Sequence, residues 1–133
     1  MGAAAVSESG PGGAAGSARG LGRWGEDVAA GHLEAAGLVL LARNWRCREG
    51  ELDLVAVEDG RRLVVCEVKT RSGRGFGAPA EAVSAAKAAR IRVLTAAFLR
   101  AHRMGWVEVR FDVVSVLAPP GGPVTVEHLR GAF

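Results

Sequence analysis

Residues 50–71 read GELDLVAVEDGRRLVVCEVKTR, two apolar runs joined at Asp59-Gly60, and this stretch decides the fold. Short runs rich in leucine and valine predict β-strands, and an Asp-Gly pair between them predicts a hairpin turn. Each run carries charge at the end away from the turn, with Asp53 on the first and Glu67 and Lys69 on the second. Because burying an unpaired charge costs on the order of several kcal/mol, we expect these three side chains to share a partner or a metal ion.

The rest of the chain supplies helices and further strands around this hairpin. On both faces of the two hairpin strands the side chains are largely apolar, which is typical of strands in the middle of a sheet covered on both faces. The long second helix is then a crossover that returns the chain parallel to the hairpin. The pattern predicts an α/β fold with a mixed central sheet and a helix on each face. Apolar periodicity and glycine or proline stops predict helices over 22–36 and 80–104 and strands over 38–45, 51–58, 63–71, 107–117 and 124–129.

The length of the hairpin turn decides whether the charged residues meet. A two-residue Asp59-Gly60 loop pairs Glu58 with Arg61 and leaves Asp53 and Glu67 on opposite faces of the sheet. A three-residue loop, or one bulge, shifts the pairing by one residue and sets Asp53 opposite Glu67. The sequence alone leaves both registers open, and a joint site requires the second.

Facing carboxylates on neighbouring strands repel each other unless a cation lies between them. Hard oxygen ligands of this kind suit Mg²⁺ or Mn²⁺, so Asp53 and Glu67 are the candidate metal ligands. Lys69 lies two residues beyond Glu67 on the same face, where it can orient a water molecule or neutralise charge on a phosphate. The alternative interpretation is an exposed cross-strand salt-bridge patch.

The 133 residues suit one domain preceded by a tail. Residues 1–19 are nearly all Gly, Ala and Ser, so we expect a disordered tail, with residues 20–133 as a single domain. The tail lacks the basic start and apolar middle of a secretory signal, and no stretch approaches the roughly 20 apolar residues of a membrane span. We therefore expect a cytoplasmic protein. His32, His102 and His128 have no ligand spacing, which argues against zinc.

The basic residues are almost all arginine. Seventeen Lys and Arg outnumber fourteen Asp and Glu, the formal net charge is +3, and fifteen of the seventeen are arginine. Arginine binds phosphate through a planar fork of donors, so this bias favours a polyanionic partner. The composition of the genome is an equally good explanation.

Two further charged residues lie on predicted helix faces that are otherwise apolar. Glu26 shares a face with Leu33, where it either complements the helix dipole from the first turn or points inward toward the strand ends. Lys87 falls on a stripe with Ile91. Its side chain either snorkels to solvent or points at a phosphate site, since its helix follows the strand that carries Glu67.

Six short motifs together closely resemble one family. They are Gly22-Arg23-Trp24-Gly25-Glu26, Asn44-Trp45-Arg46, Gly50-Glu51-Leu52-Asp53-Leu54-Val55, Glu67-Val68-Lys69-Thr70-Arg71, Phe76-Gly77 and Arg110-Phe111-Asp112-Val113-Val114. Over residues 20–118 the chain resembles the YraN family of small bacterial proteins, which is similar to the archaeal Holliday-junction resolvases and is placed in the PD-(D/E)xK nuclease superfamily. The combination is specific, whereas a Glu-x-Lys pattern alone is not.

This resemblance implies an α-β-β-β-α-β core and a metal-dependent nuclease site. The catalytic acids of the superfamily match Asp53 and Glu67, its lysine matches Lys69, and the helix-borne glutamate of the resolvase-like branch matches Glu26. One departure is Leu52, which stands where the proline of the superfamily's name would precede Asp53. A family likeness does not by itself show turnover.

The expected function is an endonuclease that hydrolyses phosphodiester bonds in DNA with Mg²⁺ or Mn²⁺, with branched, repair or recombination intermediates among its substrates. The alternative is a non-catalytic nucleic-acid-binding or scaffold protein with the same fold. Resolvases that cut symmetrically work as dimers, so a homodimer is considered, although no stretch marks an interface. Trp45 is expected to offer bases a stacking surface. The candidate nucleic-acid-binding residues are Arg43, Arg46, Arg48, Arg71, Arg74 and Lys87.

Overall fold

The computed structural model describes residues 3–6, 18–72, 83–105 and 107–133. Six strands and two helices lie in these ranges. In chain order they are β1 Ala3–Val6, α1 Ala18–Ala35, β2 Val39–Cys47, β3 Gly50–Glu58, β4 Arg62–Arg71, α2 Ala85–Ala101, β5 Glu108–Leu117 and β6 Val124–Leu129. Within the described ranges, neither helix has the length and apolar content needed to cross a membrane.

One mixed sheet contains the six strands, in the order β1-β6-β5-β4-β3-β2. Strands β4 and β5 are parallel, and the other neighbouring pairs are antiparallel. The parallel pair is joined through α2, because parallel neighbours need a crossover connection. The α/β fold with a mixed central sheet that the sequence predicts is confirmed.

Each face of the sheet carries a helix and a separate apolar core. On one face Leu33 of α1 packs in a core with Leu54 of β3. On the other face Leu94 and Phe98 of α2 pack with Val55. The central strands are apolar on both sides because both sides are covered.

The hairpin between β3 and β4 has a three-residue loop. Glu58 is opposite Arg62, so residues 59–61 form the connection. Asp59 and Gly60 have φ angles of 55° and 71°, in the left-handed region that glycine adopts readily and that aspartate tolerates better than most residues. An odd loop is one of the two arrangements, a three-residue loop or a bulge, that a joint carboxylate site requires, and the prediction is confirmed in this form.

The N-terminal segment differs in part from the disordered tail expected over residues 1–19. Ala3–Val6 form β1, which pairs with β6, and α1 already begins at Ala18. The composition of a segment indicates how much apolar surface it can bury by itself, but not whether its backbone can pair with another strand. The outer side of β6 offers backbone donors and acceptors that a short strand can pair with. The other residues of this tail lie outside the described ranges.

Candidate active site

Asp53 lies at the point where the backbone ladder between β3 and β4 ends. The final pair of the ladder is Leu54 opposite Cys66, and one more step in the same register sets Asp53 opposite Glu67. There the Asp53 Oδ2 atom accepts a hydrogen bond from the Val68 backbone N–H at 2.9 Å. A side chain therefore takes the acceptor role that a strand carbonyl has elsewhere in the ladder. The structure brings the two predicted acids together at this end of the hairpin.

The side-chain alternation of β3 is interrupted at the same point. Leu54 packs in the core beneath α1, whereas Leu52 and Val55 both pack in the core beneath α2. A regular strand would place Leu52 and Leu54 on one face. The change of side occurs around Asp53, so its carboxylate lies between the strands, within reach of the Val68 N–H.

The charged form of Asp53 is unfavourable in this position. Burial raises the pKa of its carboxyl group, and the negative charge of Glu67 raises it further, while the Val68 N–H acts in the opposite direction. With a smaller contribution from Glu26, the pKa of Asp53 reaches about 7. An excess of negative charge of this kind is what a bound cation relieves.

Glu67 is the more buried acid of the pair, with 7% of its surface exposed. Lys87 of α2 forms an ion pair with Glu67 Oε2, and the Lys69 Nζ atom lies 3.4 Å from the same oxygen. Lys87 therefore points inward at Glu67 rather than only to solvent, and its contact with a phosphate stays a prediction. The burial of Glu67 also argues against an exposed salt-bridge patch.

The two lysines experience different electrostatic environments. Burial and the neighbouring Lys87 ammonium lower the pKa of Lys69. Burial also opposes the charge on Lys87, but the hydrogen bond and attraction to Glu67 outweigh it and raise the pKa of Lys87. Lys69 is therefore the lysine that gives up its proton more readily, a property that suits a group beside a reacting water molecule.

Helix α1 brings Glu26 to the same end of the sheet. Its neighbour Gly25 packs so closely on β4 that a Cβ atom there would lie 1.8 Å from Thr70 Oγ1. The Glu26 Oε1 atom accepts a hydrogen bond from Asn44 Nδ2 at 3.0 Å, and its charge contributes to the raised pKa of Asp53. Of the two roles considered for Glu26, the structure shows the inward-pointing one.

Asn44 is a residue of this site that the sequence interpretation missed. In the register between β2 and β3 it stands next to Asp53, and its φ of 51° lies in the left-handed region. Asparagine tolerates this conformation better than most residues, so the strand can continue past it while its amide reaches Glu26. The signal that could have found it is a turn-forming residue inside a predicted strand.

Two of the predicted phosphate-binding arginines are engaged by carboxylates of the same chain. Arg43 forms an ion pair with Asp27, and the Arg46 Nε atom lies 3.2 Å from Glu51 Oε2. Ion pairs this exposed are worth about 0–1 kcal/mol, so both guanidinium groups can exchange their partners for phosphate.

The other three arginines predicted to bind phosphate differ in their exposure. Arg48 is exposed, Arg71 is half-buried at the end of β4, and Arg74 lies outside the described residues. The Trp45 ring packs edge-on against Phe98, with the centroids 5.3 Å apart. The indole is half-buried against the core beneath α2, and a stacking surface for bases stays a prediction.

The donor chemistry fits a small, hard cation. Asp53 and Glu67 offer carboxylate oxygens, the ligand type that Mg²⁺ and Mn²⁺ prefer. The raised pKa of Asp53 agrees with this choice, since burial and then the negative charge of Glu67 both oppose ionisation in the absence of a cation. Asp53 and Glu67 would therefore hold the ion, with Glu26 farther out.

A second buried cluster, also missed from the sequence, lies in the core beneath α1. Cys66, Asp112 and His128 place possible ligand atoms within 4.8 Å of one another. Asp112 is already satisfied: two Arg110 nitrogens donate to it at 2.9 Å each, the Gly131 N–H donates at 2.9 Å, and His128 Nε2 lies at 2.7 Å.

The electrostatics of this cluster favour an ion-pair network over a metal site. Burial opposes the charge on Asp112, but the contacts with His128, Arg110 and Gly131 outweigh it and lower the pKa of Asp112 to about 2. Burial raises the pKa of the Cys66 thiol, which disfavours the thiolate that binds metals. The network ties β5 to β6 and the C-terminal residues.

Known proteins resemble this chain over most of its length. The model described as "Uncharacterised protein family UPF0102" matches residues 25–116, a range that contains the candidate site described above. A UPF0102 protein of Frankia alni is 65% identical over 113 residues, covering 85% of this chain and 93% of the relative. A UPF0102 protein of Frankia casuarinae is 64% identical, with coverages of 85% and 95%. A UPF0102 protein of Acidothermus cellulolyticus is 53% identical over 123 residues, with coverages of 85% and 92%. The chain belongs to the UPF0102 family, also called the YraN family.

Proposed function

We propose that this protein is an endonuclease that hydrolyses phosphodiester bonds in DNA with Mg²⁺ or Mn²⁺. The observation that carries the proposal is the convergence of Asp53, Glu67 and Lys69 where the ladder between β3 and β4 ends. One acid has a pKa raised to about 7, and the other is buried against two ammonium groups. A site that places adjacent acids beside bases suits the joint binding of a cation and an anionic substrate.

Each residue of the site has a role in this proposal. Asp53 and Glu67 would hold a dication, which would supply Lewis-acid chemistry by polarising the phosphodiester and making a water molecule more acidic. Lys69 orients the attacking water and neutralises charge that develops on the phosphate. The hydrogen bond from Val68 keeps the Asp53 carboxylate oriented, and Glu26, held by Asn44, orders the surrounding water.

Nucleic acid is the substrate class that suits the surrounding charge. The chain has a net charge of +3. Arg43 and Arg46 lie on β2, Arg71 lies on β4, and Arg48 lies on the connection between β2 and β3. Arginine at exposed positions binds phosphate whatever the base sequence. We propose DNA, with branched and nicked forms as the preferred structures, and a homodimer where two strands are cut symmetrically.

A non-catalytic nucleic-acid-binding or scaffold protein is the second candidate. One observation favours it: both lysines contact Glu67, as in an ion-pair cluster that serves the fold alone. Such a protein would bind DNA without cutting it, and added metal would change neither its stability nor its DNA affinity.

A cleavage assay separates the two candidates. The full-length protein is incubated with Mn²⁺ or Mg²⁺ and with branched, nicked, single-stranded and linear DNA, and with RNA of the same sequences. The proposal predicts cleavage by the wild type and none by Asp53→Asn or Glu67→Gln. Asp59→Asn is the matched control, since it removes an acid at a turn position that asparagine also tolerates.

Two results would decide against catalysis at this site. DNA binding without cleavage of any substrate by the wild type would support the scaffold candidate. Cleavage that persists in Asp53→Asn would place the chemistry elsewhere. The mass of the protein bound to a branched DNA reports whether one or two copies are present.

A further inference from the structure

Both lysines of the chain approach a single carboxylate oxygen. Fifteen of the seventeen basic residues are arginine, and the other two are Lys69 and Lys87. Lys87 pairs with Glu67 Oε2, and Lys69 Nζ lies 3.4 Å from that oxygen. In a chain that uses arginine nearly everywhere, lysine at both of these positions indicates a chemical requirement that arginine does not meet.

The difference between the two side chains suggests what that requirement is. A guanidinium grips a carboxylate through two parallel hydrogen bonds in a fixed plane, whereas an ammonium is a compact charge on a flexible stem. Arginine beside Glu67 would hold both of its oxygens, and lysine holds one and can leave. A lysine ammonium is therefore easier than an arginine guanidinium for a metal cation to displace from a carboxylate.

The surroundings of the two lysines indicate which one leaves. Lys69 lies within β4, which pairs with β5 along its length, and 26% of its side chain is exposed. Lys87 lies in the first turn of α2, and 37% of its side chain is exposed. Its backbone is anchored, because its N–H donates to the Ser84 Oγ atom at 3.1 Å. The Lys87 stem can therefore swing while the helix stays in place.

We propose that Lys87 competes with the divalent metal for Glu67, so that metal binding releases the Lys87 ammonium toward the phosphate of the substrate. This inference rests on the proposed function, since it requires Glu67 to be a metal ligand. When ionised, the three acids Asp53, Glu67 and Glu26 outnumber the two lysines beside Glu67, and a dication would change this excess of negative charge into an excess of positive charge. An anionic phosphodiester then finds Lys87 available rather than neutralised by Glu67.

Metal affinity provides the first test. Mn²⁺ binding to the full-length wild type, Lys87→Gln and Lys87→Arg is measured by calorimetry without DNA. Loss of the competing charge in Lys87→Gln should tighten binding by about tenfold, the size expected for one unit charge on a partly exposed side chain. Lys87→Arg should weaken Mn²⁺ binding, because a guanidinium holds Glu67 through two bonds. Arg90→Gln, which removes an exposed charge one turn along α2, is the control and should match the wild type.

Chemical labelling of the wild type provides a second test that needs no variant. An amine-acetylating reagent is applied with and without Mn²⁺, and peptide mapping reports the rates at Lys69 and Lys87 separately. If metal binding releases Lys87 from Glu67, Mn²⁺ should increase the rate of labelling at Lys87 several-fold relative to the rate at Lys69.

The outcomes distinguish this inference from the proposed function. Equal Mn²⁺ affinities in the wild type and Lys87→Gln, both abolished by Asp53→Asn, would overturn the competition and leave the metal site standing. Unchanged labelling of Lys87 on addition of Mn²⁺ would also overturn it. Failure of both the wild type and Lys87→Gln to bind Mn²⁺ would overturn the competition and the proposed function together.

Discussion

The backbone N–H of Val68 donates to Oδ2 of Asp53 at 2.9 Å, so a side chain of β3 completes the hydrogen bonding of β4 where the two strands cease to pair. The bond places the Asp53 carboxyl group beside the buried Glu67. It can form whether Asp53 is protonated or ionised, and an asparagine oxygen could accept it equally well. The position therefore allows the charge of Asp53 to be removed without disturbing the strand.

Asp53→Asn should stabilise the metal-free protein, and increasingly so as the pH rises. The pKa of Asp53 is about 7 in the fold and about 3.8 ordinarily, so between these values the folded state binds more protons than the unfolded state. Stability contributed by this group therefore falls as the pH rises from about 4 to about 7. Thermal melts should show little difference at pH 4 and a gain on the order of a few kcal/mol at pH 8. A lower melting temperature for Asp53→Asn at pH 8 would indicate a structural ion pair instead.

Glu67→Gln should have the opposite effect on the metal-free protein. It removes the charge that holds Lys69 and Lys87 together, so two ammonium groups remain close without their common partner. Breaking a largely buried pair in this way costs about 3 kcal/mol. Urea unfolding at pH 7 measures the loss, with Asp59→Asn as a control for the removal of an exposed acid. Equal stabilities for Glu67→Gln and the wild type would show that the lysines do not depend on Glu67.

Gly25→Ala should separate α1 from β4 and weaken the site. A Cβ atom there would lie 1.8 Å from Thr70 Oγ1, so either the helix or Thr70 must shift. Overpacking of this kind costs about 1–3 kcal/mol, and we expect metal-dependent cleavage to fall because Glu26 moves with the helix. Gly31→Ala on the same helix is the matched control. Among the described residues, no heavy atom lies within 4 Å of a Cβ atom added at Gly31, and the variant should gain about 0.5–1 kcal/mol from helix propensity. Equal melting temperatures for the two variants would contradict the close packing.

Asp112→Asn should destabilise the fold without affecting metal binding. Asp112 is fully buried and accepts from Arg110 and the Gly131 N–H, so losing its charge should cost about 3 kcal/mol at pH 7. Its pKa is lowered to about 2, so this stability is present above about pH 4 and lost as the pH falls toward 2. Denaturant unfolding at pH 7 and pH 2 measures both points. A difference between variant and wild type that persists undiminished at pH 2 would contradict the lowered pKa.

DNA affinity should depend steeply on salt. Each phosphate neutralised on duplex DNA contributes a slope of about −0.9 to the dependence of log affinity on log salt concentration. Arg48 is exposed on the connection between β2 and β3, so Arg48→Gln should weaken binding and reduce the slope by about one phosphate. Fluorescence anisotropy at several salt concentrations measures it. Affinity that does not change with salt would point to a protein partner.

The sequence predicts the hairpin between β3 and β4 but not the length of its loop. Alternation predicts both strands, and Asp59-Gly60 predicts the turn, but neither determines whether the loop has two or three residues. The requirement that Asp53 and Glu67 meet restricts the connection to a three-residue loop or a bulge, and the structure has the three-residue loop. The chemistry at the strand ends therefore narrowed the alternatives that local turn propensity left open, but it did not choose between the last two.

Two of the contacts that the sequence did not predict each join different elements. Asn44 and Glu26 are 18 residues apart on β2 and α1, and His128 and Asp112 are 16 apart on β6 and β5. Periodicity places a residue on a face of its own element, and it does not say which residue of another element lies opposite. Strand β1 escaped prediction for a related reason, since its pairing is offered by β6 rather than by its own composition.

The most direct test of the central claim is the anomalous diffraction of Mn²⁺ in a crystal of the wild-type protein. The account predicts one peak coordinated by Asp53 and Glu67, at about 2.1 Å from their carboxylate oxygens, as hard cations require. In the electron density of the same crystal, the Lys87 side chain should no longer contact Glu67. Crystals soaked at millimolar Mn²⁺ that show no peak between these carboxylates, with both lysines still on Glu67, would contradict the account.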